Sequence, residues 1–350
     1  MIQTSTHRDF PTIGKITWFI FICVKLLLLT SCNSTKLNMS SNRAHAASVT
    51  ADALLASESN TKLPPADVIK PIEVLRSQYY SEGVVFDREG NLYFSQTKAG
   101  SITVLPPNGT PRLWAELEGA NGHKIMSDGI HIVAATNSVV KLDANGQILK
   151  VVASEFNGKP LEFANDITLD KQGGFYFTDS GSRNPETPTG AVYYVSPTEK
   201  ISQVVNGLAF ANGIVLTPDG KRLFVAESKK NRILEYKVLS PEKVEFQKVF
   251  AELPVKQKEQ IDNQPDGMCL DAQGNLYVAH YGMGQVQVLN PKGQLIRRYS
   301  SGNLTSSNCA FGGPGLKQLF VTGALQTEES EGAIFRLDLG VRGLDIRPRS

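Results

Sequence analysis

One short pattern returns along most of this chain and leaves few folds open to it. A polar residue, a short apolar run, a turn rich in Asp and Gly, and a second apolar run appear as EGVVFDREGNLYFS (Glu82 to Ser95) and as FANDITLDKQGGFYFTDS (Phe163 to Ser180). The pattern returns as ANGIVLTPDGKRLFVA (Ala211 to Ala226), PDGMCLDAQGNLYVA (Pro265 to Ala279) and SNCAFGGPGLKQLFVT (Ser307 to Thr322), with a degenerate copy, ANGHKIMSDGIHIVA, from Ala120 to Ala134. With Glu82, Asn121, Asn165, Asn212, Asp266 and Asn308 taken as equivalent, successive copies stand 39, 44, 47, 54 and 42 residues apart. Short strands joined by turns at a period near forty mark a β-propeller, in which each repeat is one four-stranded blade. Asp87 to Asn91, Asp271 to Asn275 and Pro218 to Gly220 supply the positive φ angles of tight hairpins. The expected architecture is all-β, a six-bladed β-propeller over residues 71–342 with a tail at 343–350.

Each copy opens on residue types that strands avoid, because Asn and Asp bond locally and compete with the ladder. In a propeller the innermost strands start at one end of a central channel, so the repeated position rings a common axis. Glu82, Asn121, Asn165, Asn212, Asp266 and Asn308 offer carboxylate and amide oxygens there. That donor set suits a hard divalent cation, Ca²⁺ first, with Mg²⁺, Mn²⁺ or Zn²⁺ left open.

The rest of the composition narrows the partners. A formal net charge of +2, with no Lys/Arg cluster inside the repeats, argues against a nucleic-acid face. Ile16 to Leu29 is nearly all apolar and short for a membrane span. It ends in Leu29-Thr30-Ser31-Cys32, a pattern similar to a bacterial lipobox. Residues 1–32 therefore read as a signal peptide of lipoprotein type, with Cys32 the lipidated residue, and 33–70 as a flexible linker. Ala44-His45-Ala46 offers an alternative cleavage site for a freely secreted chain. Either way the chain reads as exported to a bacterial cell envelope or periplasm, touching membrane only through its N-terminus. Cys269 and Cys309 fall at different offsets within their repeats and read as two separate buried thiols.

The stretches EGVVFD, FANDITLD, ANGIVLTPDGKRLFVAES and QPDGMCLDAQGNLYVA resemble the gluconolactonase and senescence-marker-protein (SMP-30/LRE-like) family, with a more distant similarity to paraoxonases. The resemblance spans about residues 75 to 340. It implies a divalent cation held by Glu82, Asn212 and Asp266, with Asn165 as ligand or substrate contact, and hydrolysis of lactones. It also implies that Asp266 helps activate the attacking water. Asp266 beside a cation would have a depressed pKa. The sugar-lactonase members carry an arginine two residues before the Asn that matches Asn165, where this chain has Phe163. Phe163, with Tyr281 and Met283, therefore suits a less polar lactone or ester. Asn121 and His123 are further candidates to contact substrate, His123 as a general base. Asp166 and Asp179 are candidates to orient the ring amides. The competing readings are a non-catalytic binding or scaffold propeller and a strictosidine-synthase-like enzyme. Oligomeric state is not legible in the residues.

Overall fold

The computed structural model describes residues 62–256 and 262–347. The expectations for the signal peptide, for Cys32 and for most of the linker lie outside the described residues.

The chain is all-β, and among the described residues helical geometry is confined to three short 3-10 turns at Thr97–Ala99, Ser228–Lys230 and Pro314–Leu316. Strands pair with their sequence neighbours in antiparallel four-stranded sheets. One sheet is built from Glu82–Phe86, Leu92–Gln96, Ser101–Leu105 and Arg112–Glu116; three more open with Ala120–Ile125, Ala164–Leu169 and Ala211–Leu216. The remaining long sheet has two halves that meet through the pair Tyr281 and Thr305. One half runs from Gln264–Leu270 to Leu295–Ser300. The other comprises Thr305–Gly312, Gln318–Ala324, Gly332–Asp338 and, from the other end of the chain, Ile72–Ser77. The first strands lie side by side in chain order, and Thr305–Gly312 returns against Glu82–Phe86. The result is a propeller-like fold.

Its cohesion comes from the seams. Each pair of successive sheets traps its own apolar cluster, such as Ile132, Ile167, Phe175 and Phe177 between the second and third. The last cluster packs Phe320 and Ile334 on Val84, Phe86 and Phe94, joining the final strands to the first sheet. Full burial of each such side chain contributes about 1.5–3 kcal/mol. Order also extends beyond the boundaries drawn at 71 and 342. Leu63 and Ile69 pack on one of these clusters, and the Pro64 carbonyl accepts bonds from Arg297 and Tyr299. On the C-terminal side the Leu344 amide donates to the Leu270 carbonyl.

All of the first strands share one irregularity that sets up the site. Their pairing slips by a residue in the opening turn of the ladder: between Glu82 and Val85, Ala120 and His123, Ala164 and Ile167, Ala211 and Ile214, Pro265 and Met268, and Ser306 and Cys309. Such bulges bend a strand and re-aim its side chains. Close packing follows. A Cβ at Gly213 would stand 2.1 Å from the Asp266 carbonyl oxygen, and one at Gly83 1.9 Å from that of Asn121, so only Gly admits the neighbouring strand there.

Candidate active site

The bulged strand openings converge on a cavity of about 380 Å³, lined by Glu82, Asn121, Asn165, Asn212 and Asp266 together with Phe163 and Tyr281. All five ring residues are buried. Five of the positions singled out from the repeat thus meet in one place.

Asn308 does not join them. Ser307 and Asn308 sit opposite Thr322 just as Asn165 and Asp166 sit opposite Thr178. Asn308 accepts the Cys309 amide at 2.8 Å as Asp166 accepts the Ile167 amide at 2.9 Å. Asn308 is therefore the structural partner of Asp166, and Ser307 holds the ring position. The sequence alignment of that copy was one residue out of step, because a bulge hides its register from a reading by alternation.

His123 is also placed elsewhere. The bulge after Ala120 breaks the two-residue alternation that would have put it beside Asn121. Its Nε2 instead lies 2.8 Å from His131 Nδ1, fully buried among Tyr93 and Trp114. Burial drives its pKa well below the ordinary range, with His131 and Lys124 acting in the same direction. It packs a seam and does not line the cavity.

Asp166 lies under the ring, where its carboxylate accepts the amides of Ile167 and, at 3.3 Å, Ile214, next to Lys124 Nζ at 3.6 Å. Thr178 Oγ1 completes the tie by donating to the Asn212 carbonyl at 2.7 Å. These bonds hold the third and fourth ring strands in fixed relation. Asp179 has a different task. It accepts the amides of Glu162 and Phe163 at 3.0 and 2.6 Å, fixing the loop that delivers Phe163. Glu227 does the same one sheet on, accepting the Ala209 amide just before Phe210.

Several lining residues escaped the sequence reading. Tyr80, Phe210 and Gln264 each precede a ring residue by two, the offset already noticed for Phe163. That repeated offset was the available signal. Lys98, Arg183, Lys229 and Glu328 come from the connections after second strands, whose lengths and sequences do not repeat. Arg183 lies 5.9 and 5.6 Å over the rings of Phe163 and Phe210, so a cation does stand beside Phe163, delivered from another loop. Tyr281 donates to Glu328 at 3.0 Å.

The electrostatics of the ring are unbalanced. Burial, followed by repulsion from Glu82, Asp166 and Glu328, lifts the Asp266 carboxyl well above its ordinary range. Burial also pushes Glu82 up to about 8, against a bond from the Gly83 amide. Asn212 Oδ1 is buried with no hydrogen-bond partner. An orphaned amide oxygen in the same cavity as two desolvated carboxyls is a donor set a hard cation would satisfy. Among the described residues no three acids, histidines or cysteines are placed to hold a metal ion together; the ring oxygens that line the cavity are those of two carboxylates and three amides.

The fold and this lining define a class. Residues 80–325 match the model of the SMP-30/Gluconolactonase/LRE-like region, and the chain belongs to that family. It is 33% identical over 246 residues to a lactonase drp35 of Staphylococcus saprophyticus, covering 67% of this chain and 74% of the relative. A lactonase drp35 of Staphylococcus aureus is 30% identical over 266 residues, with 71% and 80% covered. Solved structures share the fold at 22% identity. A luciferin-regenerating enzyme has a TM-score of 0.68 over 80% of this chain and 100% of its own. A calcium-binding protein, regucalcin, from Agrobacterium tumefaciens has a TM-score of 0.66 over 79% and 97%.

Proposed function

We propose that this chain is a six-bladed β-propeller hydrolase that opens lactones in the cavity, with a divalent cation held by Glu82, Asn165, Asn212 and Asp266. The reading is supported by the lining of one cavity by these residues, with Asn212 Oδ1 unpartnered, and by the lactonase names of its relatives. A bound cation supplies a Lewis acid for the lactone carbonyl and compensates the charge that grows on its oxygen. Ca²⁺ suits a donor set made only of oxygens.

The chain's own residues supply the rest. Water adds to the acyl carbon and the ring C–O bond breaks; Asp266 takes the proton from the water and returns it to the departing alkoxide, so the balance is one water consumed per lactone opened. A cation beside Asp266 would reverse the upward pull of burial and keep it ionised for this task. Phe163, Phe210 and Tyr281 present aromatic surface on which the body of a less polar lactone rests, and Asn121 offers its amide in the same cavity. The chain is exported and anchored through lipid on Cys32. Cys32→Ala would then move the protein from the membrane to the soluble fraction, and an unchanged membrane fraction would remove the anchor from this account.

The test is hydrolysis followed by proton release on alkyl lactones and aldonolactones, using protein stripped with chelator and resupplied with Ca²⁺, Mg²⁺, Mn²⁺ or Zn²⁺ in turn. Cation-restored turnover supports the hydrolase. Tight cation binding without turnover of any lactone or ester points to a binding propeller. Turnover that persists with no cation refutes the role given to the ring.

A further inference from the structure

Cys269 and Cys309 are both free thiols, as expected, but they touch. Cys269 and Cys309 are 40 residues apart in sequence, yet their sulfurs approach to 3.5 Å. They sit near the far ends of two adjacent first strands, Gln264–Leu270 and Thr305–Gly312. Cys309 is 2% exposed, while Cys269 is half-buried. Both line a second, smaller cavity of about 60 Å³, shared with Lys124, Thr168 and Met268. Nothing in the hydrolytic reading uses this cavity or either sulfur.

We propose that Cys269 and Cys309 are a redox modification site that closes to a disulfide when a small peroxide enters this cavity. The half-buried Cys269 sulfur attacks hydrogen peroxide, forming a sulfenic acid and releasing one water. The Cys309 sulfur then displaces the sulfenic oxygen as a second water. Two thiols thus lose two protons and two electrons, and one peroxide becomes two waters. A disulfide bond is about 2.0 Å long, so from 3.5 Å the sulfurs must close by about 1.5 Å. The cavity admits a molecule the size of peroxide and shuts out a protein oxidant. Burial, with the nearby Cys309 adding to it, holds the Cys269 thiol well above its ordinary range, while Lys124 acts in the opposite sense. A lone buried thiol would be a poor target; here the second sulfur, already in contact, traps the first oxidation product before it goes further.

The bond would tie together neighbouring strands, one of which carries Asp266 three residues before Cys269. It would close a long loop in the unfolded chain, so the melting temperature should rise by about 5–10 °C on oxidation and fall back on reduction.

The experiment uses the full chain, reduced with dithiothreitol and then exposed to a small excess of hydrogen peroxide. Remaining thiols are alkylated under denaturing conditions and the protein is mapped by mass spectrometry. The inference predicts a cross-linked pair of peptides containing Cys269 and Cys309, lighter by two hydrogens and released by dithiothreitol, and absent from Cys269→Ser and Cys309→Ser. It is overturned if both residues are recovered alkylated, or if each carries its own sulfinic acid. Should a serine variant fail to fold, the map of the unaltered chain still decides. The result does not depend on lactone turnover.

Discussion

The two ends of the first strands are built from the same segments and behave in opposite ways. At their start, a bulge turns Glu82, Asn121, Asn165, Asn212 and Asp266 into an open cavity of about 380 Å³. Two or three residues later the same strands have resumed their ladder. There Val84, Ile214, Met268 and Ala310 close down on a space of about 60 Å³. Polarity alone does not separate the ends, since Lys124 and Thr168 sit at the closed one. What separates them is register. A ladder that has slipped by one residue presents neighbouring side chains to the axis, and a regular ladder buries them in the seams.

Breaking the open end should give the largest effect. Asp266→Asn and Glu82→Gln should each lower kcat/KM for a lactone by about 10³-fold or more while leaving far-ultraviolet circular dichroism unchanged. A loss below tenfold would remove the carboxylates from the chemistry.

The one-residue difference in register separates two asparagines. Asn165→Ala should cost at least about tenfold in kcat/KM. Asn308→Ala should leave kcat/KM within about twofold and lower stability by about 1–2 kcal/mol in denaturant unfolding, because its oxygen only holds the Cys309 amide. Equal effects on activity would mean that both residues belong to the ring.

Smaller effects test the cavity wall and the charge balance. Phe163→Ala should reduce kcat/KM for alkyl lactones by about tenfold and leave aldonolactones less affected. In cation-free protein, Glu82 titrates near 8 when folded and near 4.5 when unfolded. Between those values the folded state holds a proton that the unfolded chain has released, so stability is greatest at the acid side and is lost as pH rises toward 8. Melting curves from pH 5 to 8 should show that decline without cation and a flatter profile with it. A cation-free curve that rises with pH would contradict the buried placement of Glu82.

Much of this was legible in the residues because the determinants repeat. The strand pairs, their turns and five of the ring positions recur at one offset, and the structure gathers those five in one cavity. What escaped depends on features that a one-dimensional period does not carry. The bulge moved Asn308 out of the ring and His123 into a seam with His131. The rim residues Arg183 and Glu328 come from connections of unequal length. The approach of Cys269 to Cys309 joins two first strands that lie side by side, and equal offsets were the wrong test for it. Asp166 stands where the first, second, fourth and fifth copies have Gly. Its carboxylate uses the space beside the next strand to bond Ile214, which answers why so polar a residue opens an otherwise regular strand.

The most direct test of the central claim is a calorimetric titration of Ca²⁺ into chelator-stripped protein, paired with lactone hydrolysis on the same samples, for the unaltered chain and for Asp266→Asn. One tight site and cation-dependent turnover are expected in the first, and both are expected to be lost together in the second. Undiminished hydrolysis in Asp266→Asn, or hydrolysis in the stripped protein, would contradict it.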